Sequence, residues 1–332
     1  MMAKRVKASV KARFSKFYYG GQAVMEGVMM RGRTSVAMAV RRPDGSIYLY
    51  EEPLEPRLYR NSLFRLPLLR GLLLLWETLV LGTRMMALSA NVALGLEEES
   101  GKTAEAAGAQ GSGRPGGIAL AGPLVISLGF AIVLFFLLPV FLAGLVPQPP
   151  GQTWLNLLVE GLIRLALLIG YLLLIGRLAE VQRVFGYHGA EHKAINAMEQ
   201  GEPLDVPHVR AASRVHTRCG TGFLLLVVVV SIVAFALLGF PSLWLRLLSR
   251  VLLVPVIATV AYELLRLGAA WYHLPPVRFL LAPSLALQGL TTREPDDSMI
   301  ECAIVALERV MQHDAAEEQG QDADVPPFVT SR

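Results

Sequence analysis

Charged residues are scarce in this chain, and the few that occur are unevenly spread. Only 17% of the 332 residues are charged, whereas 53% are hydrophobic; an ordinary soluble domain has about 25% charged residues. Residues 115–159 and residues 219–245 carry no charge at all. A helix of ~20 apolar residues crosses a ~30 Å hydrocarbon core. The composition therefore excludes an ordinary soluble domain and a disordered chain, and it favours a membrane protein.

Cysteine is also rare, and basic residues are in excess only locally. The two cysteines, Cys219 and Cys302, exclude a disulfide scaffold. The net charge of +4 has a local origin, because residues 1–16 are basic without any acid. Such an arm on a membrane protein binds anionic lipid rather than nucleic acid. No apolar run follows it, so we expect no cleaved signal peptide.

The hydropathy pattern predicts an α-helical polytopic membrane protein with about four transmembrane helices. An amphipathic or re-entrant helix, a small N-terminal β-hairpin unit and a cytoplasmic metal-site loop complete the predicted fold. The predicted spans are 118–146, 154–176, 220–240 and 249–272. The predicted segments are a basic arm at 1–17, a glycine-rich and β-hairpin cytoplasmic unit at 18–61, an amphipathic or re-entrant helix at 62–96, a flexible linker at 97–117, a first transmembrane pair at 118–176, a cytoplasmic His/Cys loop at 177–219, a second transmembrane pair at 220–272, a cytoplasmic C-terminal segment at 273–311 and an acidic disordered tail at 312–332.

Local patterns refine this outline at three places. Residues 34–42 and 46–52 flank a Pro-Asp-Gly turn and predict a β-hairpin. The four glycines within residues 20–32 predict turns with close backbone approach. Glu160 and Arg164, inside the second span, are expected to pair at i,i+4 or to face the bundle, because a lone charge there is costly.

The helix at 62–96 has a polar stripe that recurs every seven residues and leaves two alternatives open. The stripe is typical of an interfacial or bundle-facing amphipathic helix, or it belongs to a true crossing. Its members are Arg70, Glu77, Arg84 and Asn91.

The distribution of Lys and Arg predicts the orientation. Segment 177–218 carries six of them, whereas segment 147–153 carries none. By the positive-inside rule, both termini and segment 177–218 are cytoplasmic.

Histidine spacing points to a metal site in that segment. His188 and His192 are four residues apart, and Glu191 lies between them. On a helix the two histidines share a face and can bind one ion. This is the His-x-x-Glu-His order in which the glutamate acts as general base. Gly186 is expected to end one helix and let another begin.

Further candidate ligands follow within the same segment. His216 and Cys219 lie three residues apart at the start of the third span. Cys219 is a metal ligand, a small buried side chain, or a nucleophile activated by His216 or His188. Glu263 or Glu301 is an alternative acidic ligand.

Two residues of the glycine-rich stretch have an open role. Glu26 and Arg31 are either site residues or ion partners that stabilise turns.

Four blocks together resemble the bacterial YqhQ-like family, catalogued as domain of unknown function 1385. They are residues 20–32, 187–193, 216–221 and 287–295. The resemblance implies a multi-span protein of the bacterial cytoplasmic membrane with a metal-dependent activity. Its implied metal positions are His188, Glu191, His192, His216 and Cys219, and Glu301 matches an acidic position. Thr217 stands where the family pattern leads us to expect proline.

Taken together, these features predict a zinc-dependent hydrolase at the cytoplasmic membrane surface. Glu191 is the expected general base, and Arg218 or Arg31 is expected to bind a carboxylate or phosphate. The expected partners are membrane lipids and a peptide or lipid substrate, without nucleic acid. One alternative is a membrane scaffold or assembly factor with a structural metal. Another is a small transporter or channel lined by Glu160, Arg164, Glu263 and the polar stripe from Arg70 to Asn91.

Overall fold

The computed structural model describes residues 19–54, 67–96, 117–147, 153–238 and 243–318. The predicted arm at 1–17 and all but the last residue of the predicted linker at 97–117 lie outside them. The strands are β1 (Gly20–Val24), β2 (Gly27–Arg31), β3 (Ser35–Arg41) and β4 (Ile47–Pro53). The helices are α1 (Pro67–Ala93), α2 (Gly117–Ile132, continued by a π-helical segment at Val133–Leu137), α3 (Leu138–Gly144), α4 (Thr153–Ile175), α5 (Ala179–Gln200), α6 (Val206–Ala211), α7 (Gly220–Leu238), α8 (Leu243–Leu252), α9 (Val254–Ala270), α10 (Pro275–Thr291) and α11 (Asp297–Glu318).

The four strands form one antiparallel sheet in the order β1-β2-β3-β4. The predicted hairpin is confirmed, since β3 pairs with β4 from Arg41↔Ile47 to Ser35↔Pro53. The glycine-rich stretch, in which we predicted turns with close backbone approach, forms a second hairpin of β1 and β2 with its turn at Met25 and Glu26. Glycine is needed there for close approach: a Cβ at Gly27 would lie 2.2 Å from the Ala39 carbonyl oxygen.

Both faces of the sheet are covered by helices. Side chains that alternate along the strands pack against α1 on one face and against α5 and α11 on the other. Leu81, Met85 and Val92 of α1 belong to the first of these cores. The sheet is thus the middle layer of a helix–sheet–helix unit.

Helix α1 contacts helix α9 with one half and the β-sheet with the other, and the contacts with the sheet account for part of its polar stripe. Its first half lies against α9, where a Cβ at Gly71 would be 2.8 Å from Thr259 Cγ2. Its stripe turns toward the sheet: Glu77 Oε2 lies 3.0 Å from Arg31 Nη2, and Arg84 pairs with Glu52. Two charges of the predicted stripe, Glu77 and Arg84, are therefore paired with strand residues, whereas Asn91 is exposed.

Four helices of the described chain are long and apolar enough to cross a membrane. They are Gly71–Ala93, Val125–Gly144, Leu155–Ile175 and Gly220–Leu237. The predicted span at 249–272 is not among them, because the chain there is divided between α8 and α9. Pro255, in the first turn of α9, cannot donate a backbone N–H to a preceding carbonyl, which accounts for the break.

A buried ion cluster joins the apolar helices. Glu160 pairs with Arg164 at 2.8 Å, as predicted, and also with Arg250 at 2.9 Å. Arg164 Nε donates to the carbonyl oxygen of Phe135 at 2.7 Å, within the π-helical segment, and its Nη1 donates to Ser231 Oγ at 2.6 Å. The wider helical turn leaves a carbonyl available, which the arginine uses.

The predicted His/Cys loop contains a continuous helix. Helix α5 runs from Ala179 to Gln200 without ending at Gly186. A Cβ at Gly186 would lie 2.7 Å from Met299 Sδ, so this glycine lets α11 pack closely. Our prediction of a helix break at Gly186 was therefore wrong.

The predicted acidic tail begins later than expected. Helix α11 continues to Glu318, so residues 312–318 are helical, whereas residues 319–332 lie outside the described residues. Asp314 is buried and accepts hydrogen bonds from the backbone N–H groups of Arg33 and Thr34 at 2.9 and 3.1 Å. These contacts explain why an acidic residue is ordered there.

Candidate metal centre

Three side chains from two helices converge at one point. His188 and His192 lie one turn apart on α5, and Cys219 directly precedes α7. One ring nitrogen of each histidine and the sulfur of Cys219 all lie within 4.8 Å of one another. His188 Nε2 is 3.2 Å from Cys219 Sγ. Ligand atoms at ~2.0–2.3 Å from a tetrahedral zinc are themselves ~3.3–3.7 Å apart, so a small adjustment of the three side chains would let them share one ion.

Backbone carbonyls fix the tautomer of both histidines. The Nδ1–H of His188 donates to the Thr291 carbonyl oxygen at 2.9 Å, and that of His192 donates to the Arg214 carbonyl oxygen at 2.6 Å. Because a carbonyl only accepts, each Nδ1 carries a proton, and in the neutral ring Nε2 is the atom with a free lone pair. Metal-binding histidines are commonly oriented in this way.

The sulfur is oriented by the first turn of α7. The backbone N–H of Thr221 donates to Cys219 Sγ at 3.3 Å. The hydroxyl oxygens of Thr221 and Thr291 are 3.0 Å apart. Thr291, at the end of α10, thus contacts both Thr221, which binds the sulfur, and His188.

The segment between α5 and α7 is held by side chains that the motif search did not single out. Gln288 accepts from the His216 N–H at 3.0 Å and donates to the His216 carbonyl at 2.8 Å. Lys193 Nζ donates to the Arg210 carbonyl at 2.7 Å. Gln288 belongs to residues 287–295, one of the blocks that carried the family resemblance, and that was the only sequence signal for it.

Gly189, in the middle of the histidine motif, has a steric role. A Cβ there would lie 2.1 Å from the Arg293 carbonyl oxygen. The segment after α10 therefore passes directly against α5, which brings the Thr291 carbonyl to His188.

Glu191 lies beside the three converging residues but is not one of them. It is buried against β1, where the Gly21 N–H donates to its carboxylate. Burial raises the pKa of Glu191 to about 7, while the charge of His188 and the Gly21 hydrogen bond lower it. A Cβ at Gly21 would lie 3.1 Å from Glu191 Cδ and 2.6 Å from the Met29 carbonyl oxygen. The glycine-rich hairpin thus positions the motif glutamate.

His216 borders the group without joining it. Its ring centroid is 5.7 Å from that of His192. Its buried Nε2 has no hydrogen-bond partner among the described residues and is 3.7 Å from Glu199 Oε2. Glu199 in turn pairs with Arg218. Burial lowers the pKa of His216.

Comparison with known proteins decides the family. Residues 66–313 match the family described as "Protein of unknown function (DUF1385)". The chain belongs to this family. It is also 37% identical over 303 residues to "Uncharacterized protein YqhQ" of Bacillus subtilis (strain 168), a match that covers 91% of this chain and 95% of that relative. No solved structure matches. The family predicted from the four sequence blocks is confirmed.

The region that matches DUF1385 includes His188, His192 and Cys219, whereas the β-sheet lies before the start of that region. Four residues that sequence reasoning offered as site candidates lie in ion pairs and are not brought into the group. The pairs are Glu26 with Arg183, Arg31 with Glu77, Glu263 with Arg266 and Glu301 with Arg41.

Proposed function

We propose that this DUF1385 protein is a zinc-dependent hydrolase of the bacterial cytoplasmic membrane, with its site on the cytoplasmic side. One observation carries the proposal. His188 Nε2, His192 Nε2 and Cys219 Sγ face each other while both Nδ1 atoms are tied to carbonyls. A hydrogen bond from the thiol accounts for the approach of Cys219 to His188, whereas a shared metal ion accounts for the convergence of all three side chains.

The donor set supports zinc. Zinc accepts imidazole nitrogen and thiolate sulfur together, whereas magnesium and calcium prefer oxygen ligands. Three protein ligands with one position left for water or substrate is the usual composition of a catalytic zinc site. A zinc ion bound there supplies a Lewis acid and lowers the pKa of water.

The chain's own residues supply the remaining chemistry in this proposal. Glu191 is a proton acceptor one residue from a ligand, held by the Gly21 N–H and shielded from solvent. Arg218, one residue before Cys219, is the proposed cation for a carboxylate or phosphate of the substrate. Arg218 pairs with Glu199 in the structure, so in this proposal the anionic group of the substrate replaces the Glu199 carboxylate beside the arginine.

A structural metal in a membrane scaffold or assembly factor is the second candidate. The observation in its favour is the 5.7 Å between the rings of His192 and His216. Two imidazoles on one tetrahedral zinc have ring centroids ~5 Å apart. A small movement of His216 therefore gives four protein ligands and a closed site.

The transporter alternative receives less support. Glu160 and Arg164, two of the residues proposed to line a path, are each about 1% exposed and hydrogen-bonded to one another. A path for polar solutes needs such groups to face water.

Elemental analysis of the purified full chain tests the proposal. We expect about one zinc per chain, lost in His188→Ala and kept in the matched control His208→Ala, whose ring is exposed and bonded to Asp205. Glu191→Gln should keep the zinc, because Glu191 is not a ligand in the proposal.

X-ray absorption then separates the two candidates. Outer-shell scattering counts the imidazole rings: two rings with one sulfur and a further light ligand support the hydrolase, whereas three rings with one sulfur support the structural site. A wild-type protein without stoichiometric metal contradicts both.

A further inference from the structure

Helix α10 has a buried polar-and-apolar face and an exposed face that is almost entirely apolar. Leu281, Ser284 and Leu287 point into the protein. On the other side Phe279 is 81% exposed and Leu280 is 74% exposed. The exposed positions that follow are Ala282, Pro283, Ala286 and Gly289. An apolar surface of this kind marks a contact with a partner or a membrane.

The contacts of α10 show that it crosses the ends of the apolar helices. Ser284 Oγ would lie 2.3 Å from a Cβ at Gly222, and Thr291 Oγ1 is 3.0 Å from Thr221 Oγ1. Seven residues of α10, or ~10 Å of helix, therefore meet two consecutive residues of α7. Leu287, between these two residues of α10, belongs to a core cluster with Val228, so the contact continues a short way along α7.

The same crossing involves α9. A Cβ at Gly268, near the end of α9, would lie 3.0 Å from Leu281 Cδ1. Helix α7 begins where α9 ends, since a Cβ at Gly222 would be 3.8 Å from Leu265 Cδ1. Helix α10 therefore lies across one end of this helix pair, at the level where a membrane-spanning α7 begins.

Aromatic and basic side chains accompany the apolar face. Trp271, just before α10, is exposed. Arg278 Nε donates to the Tyr272 carbonyl at 3.0 Å, and its guanidinium lies 5.5 Å from the Tyr272 ring centroid. Trp, Tyr and Arg side chains are typical of the boundary between lipid head groups and acyl chains.

The far end of α10 belongs to the candidate metal centre. Its last residue, Thr291, accepts the hydrogen bond of His188, and Gln288 holds the backbone of His216. One helix thus connects the exposed apolar face with the metal ligands.

We propose that the exposed face of α10 lies in the lipid leaflet at its head-group boundary, and that a membrane lipid is the substrate class. Its acyl chains stay in the leaflet beside Phe279 and Leu280, while its head group reaches the centre along α10. The second half of this inference rests on the proposed function; the first half does not.

Spin-label depth measurements test the placement. The full chain with Phe279→Cys, labelled with a nitroxide, is reconstituted into vesicles of phosphatidylethanolamine and phosphatidylglycerol. The control is Glu308→Cys, at an exposed position of α11. The parent protein gives the background, because Cys219 and Cys302 are both buried. We expect the label at 279 to be more accessible to oxygen than to a water-soluble nickel complex, and the label at 308 to show the reverse.

Two results overturn the placement. One is equal access of the nickel complex to both labels. The other is spin–spin broadening at 279 that disappears on dilution with unlabelled protein, because a second copy then covers the face.

Photo-crosslinking tests the substrate class. Benzoylphenylalanine replaces Gly289, which is exposed next to Gln288 and has nothing within 4 Å of an added Cβ. We expect lipid adducts at 289 and none at 308. Adducts absent at 289, with the depth result intact, overturn the lipid as substrate. Zinc content is measured on the same preparation, so a protein without metal refutes the proposed function separately.

Discussion

Replacement of Glu160 by glutamine should destabilise the protein strongly, although the side chains are nearly the same size. Glu160 receives hydrogen bonds from Arg164 and from Arg250, and it is the only carboxylate that either arginine contacts among the described residues. Glutamine keeps the shape but leaves two buried positive charges together. Removing one partner of a buried ion pair costs about 3–5 kcal/mol.

The expected shift in melting temperature follows from chain length. Unfolding entropy is roughly 2.1 cal/mol/K per residue, which for 332 residues is ~0.7 kcal/mol/K. The loss therefore corresponds to a melting temperature lower by ~4–7 °C, measured by thermal unfolding of the purified protein in detergent.

The matched control is Glu263→Gln. Glu263 pairs with Arg266 at 3.9 Å; the arginine side chain is 57% exposed and the glutamate side chain 19% exposed. A long pair with one member in solvent contributes about 1 kcal/mol, so this variant should melt within ~1.5 °C of the parent. Adding Arg250→Met to Glu160→Gln should recover part of the loss, since it removes one uncompensated charge. Equal melting temperatures for Glu160→Gln and Glu263→Gln would refute the reasoning.

Two further outcomes follow from the centre itself. Gly189→Ala should lose zinc and reduce the stability by ~1–3 kcal/mol, because the added Cβ meets the Arg293 carbonyl oxygen. The control Gly170→Ala, where an added Cβ has nothing within 4 Å, should match the parent in zinc content and in melting temperature. Mass spectrometry after alkylation at pH 8 should show Cys219 protected until a chelator is added. Cys302, whose pKa burial raises to about 11, should stay unmodified throughout; labelling of Cys219 that ignores the chelator contradicts a metal there.

The sequence predicted the features that depend on local spacing. The uncharged runs at 115–159 and 219–245 contain two of the helices long enough to cross a membrane. Glu160 and Arg164 were expected to pair because i,i+4 residues are neighbours on a helix and an unpaired charge is costly. The turn at residues 43–45 predicted its hairpin because it suits few other structures.

Gly186 was misread because its partner lies far along the chain. It was expected to end a helix, but it instead admits Met299 Sδ. Gly189 likewise admits the Arg293 carbonyl oxygen, a role that its place in the histidine motif did not indicate. Spacing along one chain carries no information on such approaches, because the clashing atom belongs to another element.

The candidate site was predicted in part for a similar reason. His188, His192 and Cys219 carry recognisable ligand atoms, so their types and spacing predicted a shared site. The carbonyls of Thr291 and Arg214, which orient the two imidazoles, are backbone atoms that any residue has. Arg250 also went unnoticed, because its partner Glu160 is ninety positions away.

The histidine motif divides its residues among three directions, and this affects how variants must be interpreted. His188 and His192 face Cys219, Glu191 faces the sheet at Gly21, and Lys193 faces the segment before α7. A loss of activity in Glu191→Gln therefore has two physical sources, a missing proton acceptor and a loosened contact between sheet and helix. Gly21→Ala disturbs the second without removing the carboxylate, because its Cβ crowds Glu191 Cδ. If both variants keep zinc but only Glu191→Gln abolishes turnover, the carboxylate acts in the chemistry; if both lose zinc, it acts as a brace for α5.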